Sequence, residues 1–443
     1  MSRYINLCIV CLFAALHIQA QQTAGNVKVW SLQDCIDYAN EHNLEIQMRQ
    51  ANIDKQEVSL NTSKNKRLPN LSAGASQSFS FGRSASGFDN TYQDRNARST
   101  QWSASTSVPV FTGFMITNEI AANKLDLLAV TAEFEKAKEN MEINIATLYL
   151  QVLYSKEICG ITRRQVELSR EQLERAKSLF ENGRVSEAQI YEVEALLAND
   201  ELQAVQAASD LQMSILALSQ ALELPTPEGF EVIEPNDEVE FLFARQPDAI
   251  YATALVNRAD IRVEELRLKS SQKYVKIAQS AFYPTLSFNA GYSNNYYVIN
   301  DFDNPSFSKQ LKNNRNEYFG FNLSIPIFNR YATRNYVKTA RLNMRLQALQ
   351  LENTKKTLYK DIQQAYYNAL TSSEKYKSAE AAYKSAEKSF GFMKEKLDIG
   401  RATMYEYNDS KTAMSKALSN AAQAKYNFIL RAKILDFYNR SVN

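Results

Sequence analysis

Hydrophobic positions change period along this chain in a fixed order, and that order occurs twice. In the later copy Phe319, Phe321, Leu323, Ile325 and Ile327 alternate with their neighbours, which predicts a strand over FGFNLSIPIF (Phe319–Phe328). Apolar residues then return every three or four positions, and neither Pro nor Gly interrupts 331–390. This predicts one very long helix, a turn at Asp398-Ile399-Gly400-Arg401, and a second helix over Thr403–Tyr438.

The earlier copy has the same landmarks. Ser107–Phe111 (SVPVF) precedes Ser324–Phe328 (SIPIF) by 328 − 111 = 217 residues, and Gly183-Arg184 precedes Gly400-Arg401 by 400 − 183 = 217. Two landmarks so far apart at one spacing predict a structural duplication. We divide the chain into a first repeat over 21–222, a linker over 223–256 and a second repeat over 257–443. Pro225, Pro227, Pro235 and Pro247 punctuate the linker, which predicts little regular structure there.

Each repeat opens with a helix, over Ser31–Lys66 and over Asp260–Ala281, and then shows two alternating stretches. Leu71, Ala73, Ala75, Phe79 and Phe81 form one face of the first strand, and Trp102, Ala104, Thr106, Val108 and Val110 one face of the second. Leu286, Phe288, Ala290 and Tyr292 do the same in the third, and Phe319–Phe328 supplies the fourth. The opposite faces are small and polar, rich in Ser and without charge. Strands of about 10–12 residues suit a tilted crossing of a bilayer. A half-buried soluble sheet gives the same alternation, but a chargeless, Ser-rich face favours a barrel wall around a wet lumen. Four strands cannot close a channel, since barrels need about eight or more, so several chains would have to share one barrel.

The long helices, over 114–180 and 331–397, would each run about 100 Å and need a partner seam. Ile145, Val152, Cys159, Val166, Leu173 and Phe180 repeat every seven residues, with Ser155, Thr162 and Ser169 interrupting the companion position. The returning helices answer with Ile190, Leu197, Ala204, Leu211 and Leu218, and with Tyr407, Met414, Ala421, Phe428 and Leu435. This is coiled-coil spacing.

Charge adds little, because 51 Lys+Arg against 49 Asp+Glu gives +2 and no argument for nucleic acid. Residues 1–20 have the form of a secretory signal, with Arg3 before an apolar run and Ala20 at the cut. Cys8 and Cys11 would leave with it. Cys35 and Cys159 remain, and the position of Cys159 on the apolar stripe predicts a buried small hydrophobe. The mature chain has no apolar stretch long enough for a membrane-spanning helix, so a membrane role must use strands.

No catalytic constellation is present. The mature chain has His42 as its single His, no Cys-x-x-Cys and no Gly-rich phosphate loop. The expectation is a protein that is not an enzyme and that holds no metal or cofactor. The turns say more: Ser186-x-x-Gln189 follows the first Gly-Arg and Thr403-x-x-Glu406 the second, both with capping-box spacing. Each tip would expose an Arg beside a Gly, either as ordinary turn chemistry or as a docking knob.

On the doubled Ser-[Val/Ile]-Pro-[Val/Ile]-Phe, on Tyr283-Pro284-x-Leu286 and on the two Gly-containing tips, the chain resembles the TolC-type outer-membrane efflux channel family. Asn257-Arg258-Ala259-Asp260-Ile261 is similar to the family's Arg-Pro-Asp-Ile stretch, with Ala259 in place of Pro. The resemblance implies a mainly α fold with a transmembrane β part. Long helical hairpins would form a coiled-coil-like α-barrel, and four strands from each chain of a homotrimer would complete a 12-stranded β-barrel. It also implies a location in the outer membrane, in contact with its lipid and reaching into the periplasm. The partners implied are a periplasmic adaptor and an inner-membrane pump of RND or ABC type. Cargo would pass outward without chemistry. A type I protein-secretion duct shares this fold, and a periplasmic coiled-coil scaffold is a further alternative from a different class. By the same resemblance Glu406 and Asp409, six and nine residues after the second Gly, would form the gate, and Gly183, Arg184, Gly400 and Arg401 the adaptor-docking tips. Gln189 stands where the family has Asp, and Ala402 where it has Arg.

Overall fold

The computed structural model describes residues 28–85, 92–94, 96–234, 246–300 and 302–440. The expected signal over 1–20, with Cys8 and Cys11, and Pro235 of the linker lie outside the described residues. The remainder folds as two compact units. One comprises the described residues of Met1–Met48, Lys136–Asn257 and Leu358–Asn443, the other those of Arg49–Glu135 and Arg258–Thr357. Each unit therefore draws segments from both sequence repeats.

The second unit holds the sheet. Strands β2 (Asn70–Ser80), β5 (Ala97–Thr112), β7 (Thr285–Ile299) and β8 (Asn316–Ser324) pair antiparallel in the order β2-β5-β7-β8. A small β3–β4 hairpin (Arg83–Ala85 with Tyr92–Asp94) lies between the first two. Register puts Ala73, Ala104, Tyr292 and Glu317 in one row and Val108, Phe288 and Phe321 in another. One face is thus apolar and aromatic through most of its height, as the alternation predicts.

Two details differ from the sequence pattern, and Pro causes both. A bulge at Pro109/Phe111 sets Phe111 opposite Leu286, so Phe111 rather than Val110 continues the apolar row. Strand β8 ends at Ser324, so Ile325 and Ile327 lie beyond it, because Pro326 has no N–H to donate to a ladder. Between β7 and β8 lies a short helix, α7 (Phe307–Asn313). Its side chains satisfy the edge of β7 above the end of β8. Gln310 accepts from Tyr297 N at 3.0 Å and donates to Tyr297 O at 2.8 Å, and Asn314 donates to Asn295 O at 2.6 Å. Covering an edge in this way removes a site for stray strand pairing.

Helices α1 (Leu32–His42) and α2 (Leu44–Asn65) divide the single helix expected over Ser31–Lys66. Asn43 breaks it with an extended backbone; its side chain accepts from Glu45 N at 2.9 Å and donates to Ala221 O at 3.3 Å. The described parts of the linker hold more regular structure than its prolines suggest. Phe230–Val232 (β6) pairs in parallel with Lys28–Trp30 (β1), and Pro247 starts a helix, α5, over Pro247–Asn257. At the first position of a helix the missing N–H of Pro costs nothing. Tyr149 fixes the small sheet through its hydroxyl, which lies 3.1 Å from Trp30 O and 2.5 Å from Ile233 O; burial pushes the phenol up to about 12.

The duplication is carried in the backbone. Helix α6 (Ala259–Ser280) opens the second repeat, and the long helices are α3 (Met115–Glu181) in the first and α8 (Ala332–Asp398) in the second, 67 residues each. The offsets are 332 − 115 = 217 and 398 − 181 = 217. Two consecutive left-handed residues precede each, Gly113-Phe114 and Arg330-Tyr331, again 217 apart. A Cβ on Gly113 would lie 2.6 Å from Ser280 O, so the first copy needs glycine there, whereas Arg330 points into solvent. The chain returns through α4 (Glu187–Ala221) and α9 (Met404–Asn439). Among the described residues no helix is long and apolar enough to cross a membrane.

Candidate functional site

Both hairpin tips end their long helix in one way. Gly183 and Gly400 have φ of 66° and 71°. The amides of Arg184 and Arg401 donate back to Leu179 O and Lys396 O at 2.9 and 2.8 Å, and those of Gly183 and Gly400 to Phe180 O and Leu397 O at 2.8 and 3.1 Å. This paired pattern is a Schellman motif, which satisfies the last carbonyls of a helix and requires a left-handed residue. A Cβ on either Gly would meet nothing, so the requirement is conformational alone. Arg184 and Arg401 are exposed, as expected for knobs beside the turns.

The two restarts differ. At the second tip Thr403 caps α9 through a full capping box, with Glu406 Oε2 accepting from Thr403 N at 2.8 Å and from its hydroxyl at 2.9 Å. The backbone bond, followed by the hydroxyl, holds the Glu406 carboxyl below its ordinary 4.5. At the first tip the expected box is not formed. Ser186 is the N-cap residue, but its side chain caps nothing, because the Gln189 amide donates to Ser186 O at 3.1 Å in a tight first turn.

A cluster of Leu173, Ala176, Val193, Phe390, Met404 and Tyr407 joins the tips side by side, with Ile190, Leu197 and Met414 packed around it. The rings of Phe390 and Tyr407 meet at a tilt of 55°, 5.2 Å between centroids. At the rim, Arg175 and Asp398 form a 2.5 Å ion pair between the hairpins, exposed enough to contribute little. Glu406 and Asp409 lie three residues apart in α9, both exposed. Glu406 is engaged as a cap, and Asp409 is outside the box.

Sequence reasoning missed a buried polar cluster two turns above the tips. Lys411, with no exposed surface, reaches Asp200 Oδ2 at 3.2 Å and the hydroxyl of Ser169, which itself donates to Asp200. Burial lowers the Lys411 pKa and the Asp200 charge opposes that shift. The signal was available. Val193, Asp200, Ala207 and Ser214 repeat every seven residues and are all buried, whereas of the expected seam Ile190, Leu197, Ala204 and Leu211 are only partly so and Leu218 alone is fully buried. The expected seam of α3 is buried from Ile145 through Leu173 but not at Phe180. Cys35 and Cys159 are both free and buried.

The family model described as Outer membrane efflux protein matches residues 35–223 and 250–435, one stretch in each repeat. Outer membrane protein TolC of Escherichia coli (strain K12) is 23% identical over 408 residues, 88% of this chain and 78% of that protein. Among solved structures, the Campylobacter jejuni CmeC outer membrane channel superposes with a TM-score of 0.79 at 18% identity, covering 92% of this chain and 85% of that one. The open state of the Neisseria gonorrhoeae MtrE outer membrane channel gives 0.75 at 18% identity, covering 95% and 94%. These structural likenesses concern the fold.

Proposed function

The chain belongs to the outer membrane efflux protein family and is an outer-membrane exit duct of efflux, reaching into the periplasm of a Gram-negative cell; within that role we propose that it works as a closed homotrimer. The observation that carries this is the four-stranded sheet. Its outer strands, β2 and β8, each keep one edge unpaired within the described chain, and Leu71, Phe319, Phe321 and Leu323 on its apolar face are exposed. Four strands cannot close on themselves. Joining β8 of one copy to β2 of the next gives a 12-stranded barrel from three copies and leaves no free edge. The long hairpins would continue it as a ring of packed helices.

The duct is passive, and the driving force belongs to partners. We assign the two Schellman tips, with Arg184 and Arg401, to a periplasmic adaptor that links the duct to an inner-membrane pump of RND or ABC type. Glu406 and Asp409 stand at the mouth that such an adaptor would engage. Phe319→Arg tests the assembly. Phe319 lies within β8 opposite Ala290 on the exposed apolar face, away from the strand end. A lipid-facing cation near mid-bilayer costs about 2–4 kcal/mol, so trimer recovered from outer membranes should fall sharply. Undiminished trimer from this variant would refute the shared barrel.

A further inference from the structure

Helix α8 opens with an unusual distribution of charge. Over its first 20 residues it carries Arg334, Lys338, Arg341 and Arg345, and its first acid is Glu352. The spacing of four, three and four places these cations on one face, and all four are exposed while Thr333 and Val337 turn inward. None has an ion-pair partner among the described residues. Helix entry does not require this stripe. Shifted back by 217, its positions in α3 are Thr117, Ala121, Lys124 and Leu128, interspersed with Glu119 and Asp126. The stripe belongs to the second repeat alone.

Its position indicates the ligand. Seven residues separate the end of β8 at Ser324 from the start of α8 at Ala332, and within them Ile327 is 95% exposed and Phe328 71%. Ile327 continues the parity of the apolar row Phe319, Phe321 and Leu323. With Phe282, Phe328 and Tyr331 it lines an open hollow of about 280 Å3 that Arg334 flanks. A second hollow continues from Phe282 and Tyr331 to Arg334, Lys338 and Arg341. An apolar floor beside the membrane strands thus leads within one to three helical turns to unpaired cations. That order, hydrocarbon, then aromatic ring, then positive charge, matches an anionic amphiphile at a bilayer surface.

We propose that this stripe binds the phosphate headgroups of anionic phospholipids in the periplasmic leaflet of the outer membrane, with acyl chains against Ile327 and Phe282. The proposal rests on the outer-membrane reading above and names a lipid class for it. Arg334 and Lys338 lie nearest the leaflet. Arg341, about 4.5 Å along the helix from Lys338, adds attraction within a Debye length of about 8 Å in physiological salt, and Arg345, about 10 Å from Lys338, adds less.

The test uses the full-length protein in phosphatidylcholine vesicles containing a trace of spin-labelled phosphatidylglycerol or spin-labelled phosphatidylcholine. The motionally restricted fraction of each probe reports which lipid the protein holds. We expect a preference of about fivefold for phosphatidylglycerol, the factor that one cation contributes near an anionic surface, decreasing as salt is added. In R334Q/K338Q/R341Q/R345Q the preference should disappear, and in K375Q/K388Q/K394Q, with exposed cations removed from the distal half of the same helix, it should persist. Equal restriction of both probes by the native protein, or an unchanged preference in the quadruple variant, would overturn the proposal. So would loss of the oligomer in that variant, which would make the stripe a contact between copies. Conductance in pure phosphatidylcholine bilayers, where the stripe has no ligand, tests the duct reading separately.

Discussion

The ammonium of Lys411 lies 3.2 Å from the carboxylate of Asp200, and the two side chains are 0% and 6% exposed. Lys411 is on the returning helix of the second hairpin and Asp200 on that of the first, so this buried pair fastens one hairpin to the other. Ser169 fills a remaining valence of both. A buried ion pair gives little net stability, because desolvation consumes most of the Coulomb gain. Breaking one costs far more, since the survivor is left charged and unsolvated. Lys411→Met should therefore destabilise the hairpin pair by about 3–5 kcal/mol, and Lys411→Met combined with Asp200→Leu should recover most of that loss. Helical circular dichroism during thermal unfolding reads both. Equal loss in the single and double variants would mean that packing around Lys411, not charge, is what matters.

The tips offer a conformational test. Gly183 and Gly400 take left-handed backbones with no neighbour to meet a side chain. A β-branched residue there meets strain of about 1–2 kcal/mol, whereas Asn enters the region readily. Gly400→Asn should leave transport intact. Gly400→Val should abolish it while leaving a folded, membrane-inserted trimer. Transport that survives replacement of both glycines by Val would place adaptor docking elsewhere.

How far the sequence specified this structure varies by level. Helix periodicity and the 217-residue offset located both long hairpins to within a residue or two, because a 67-residue helix has many positions voting for one period. Single residues were less legible. The pattern puts Val110 in the apolar row and Ile325 in the strand, but a ladder also needs N–H donors. Pro109 sits at the bulge that leaves Val110 unpaired inside β5, and Pro326 stands just past the end of β8. Ser186 and Thr403 look equivalent in sequence, and only the backbone bond of Gln189 separates them. Asp200 and Lys411 read as solvated charges until their partners, 211 residues apart, are brought together.

That difference between the tips gives a pH dependence. The folded-state pKa of Glu406 is depressed below its ordinary 4.5 by the amide and hydroxyl of Thr403. A depressed carboxyl contributes stability that is present above its unfolded pKa and lost as pH falls through the folded value. Acidification below about 4.5 should therefore loosen the second tip and not the first, where Gln189 does not titrate. Amide exchange around Thr403–Glu406, corrected for intrinsic rate, should rise in acid relative to 186–189. Glu406→Gln should remove the difference, and an equal rise at both tips would exclude the capping carboxylate as its cause.

The last expectation concerns the mouth of the duct. In a trimer, Glu406 and Asp409 would place six carboxylates near a narrow opening, and their repulsion must be relieved by protons, by bound cations or by widening. The two acids are not equivalent. The Glu406 carboxylate is held by Thr403 at 2.8 and 2.9 Å, which fixes it against its own helix start. Asp409 is exposed and one turn further on, where the helix dipole has faded and no box restrains it. Asp409 should therefore carry most of the cation selectivity and most of the block by divalent and trivalent ions from the periplasmic side. In planar bilayers Asp409→Ala should weaken both, Glu406→Ala should weaken them less while loosening the tip, and the double variant should abolish block with trimer stability nearly unchanged. If the double variant keeps native selectivity and block, Glu406 is a helix cap, Asp409 is surface, and the gate lies elsewhere in the duct.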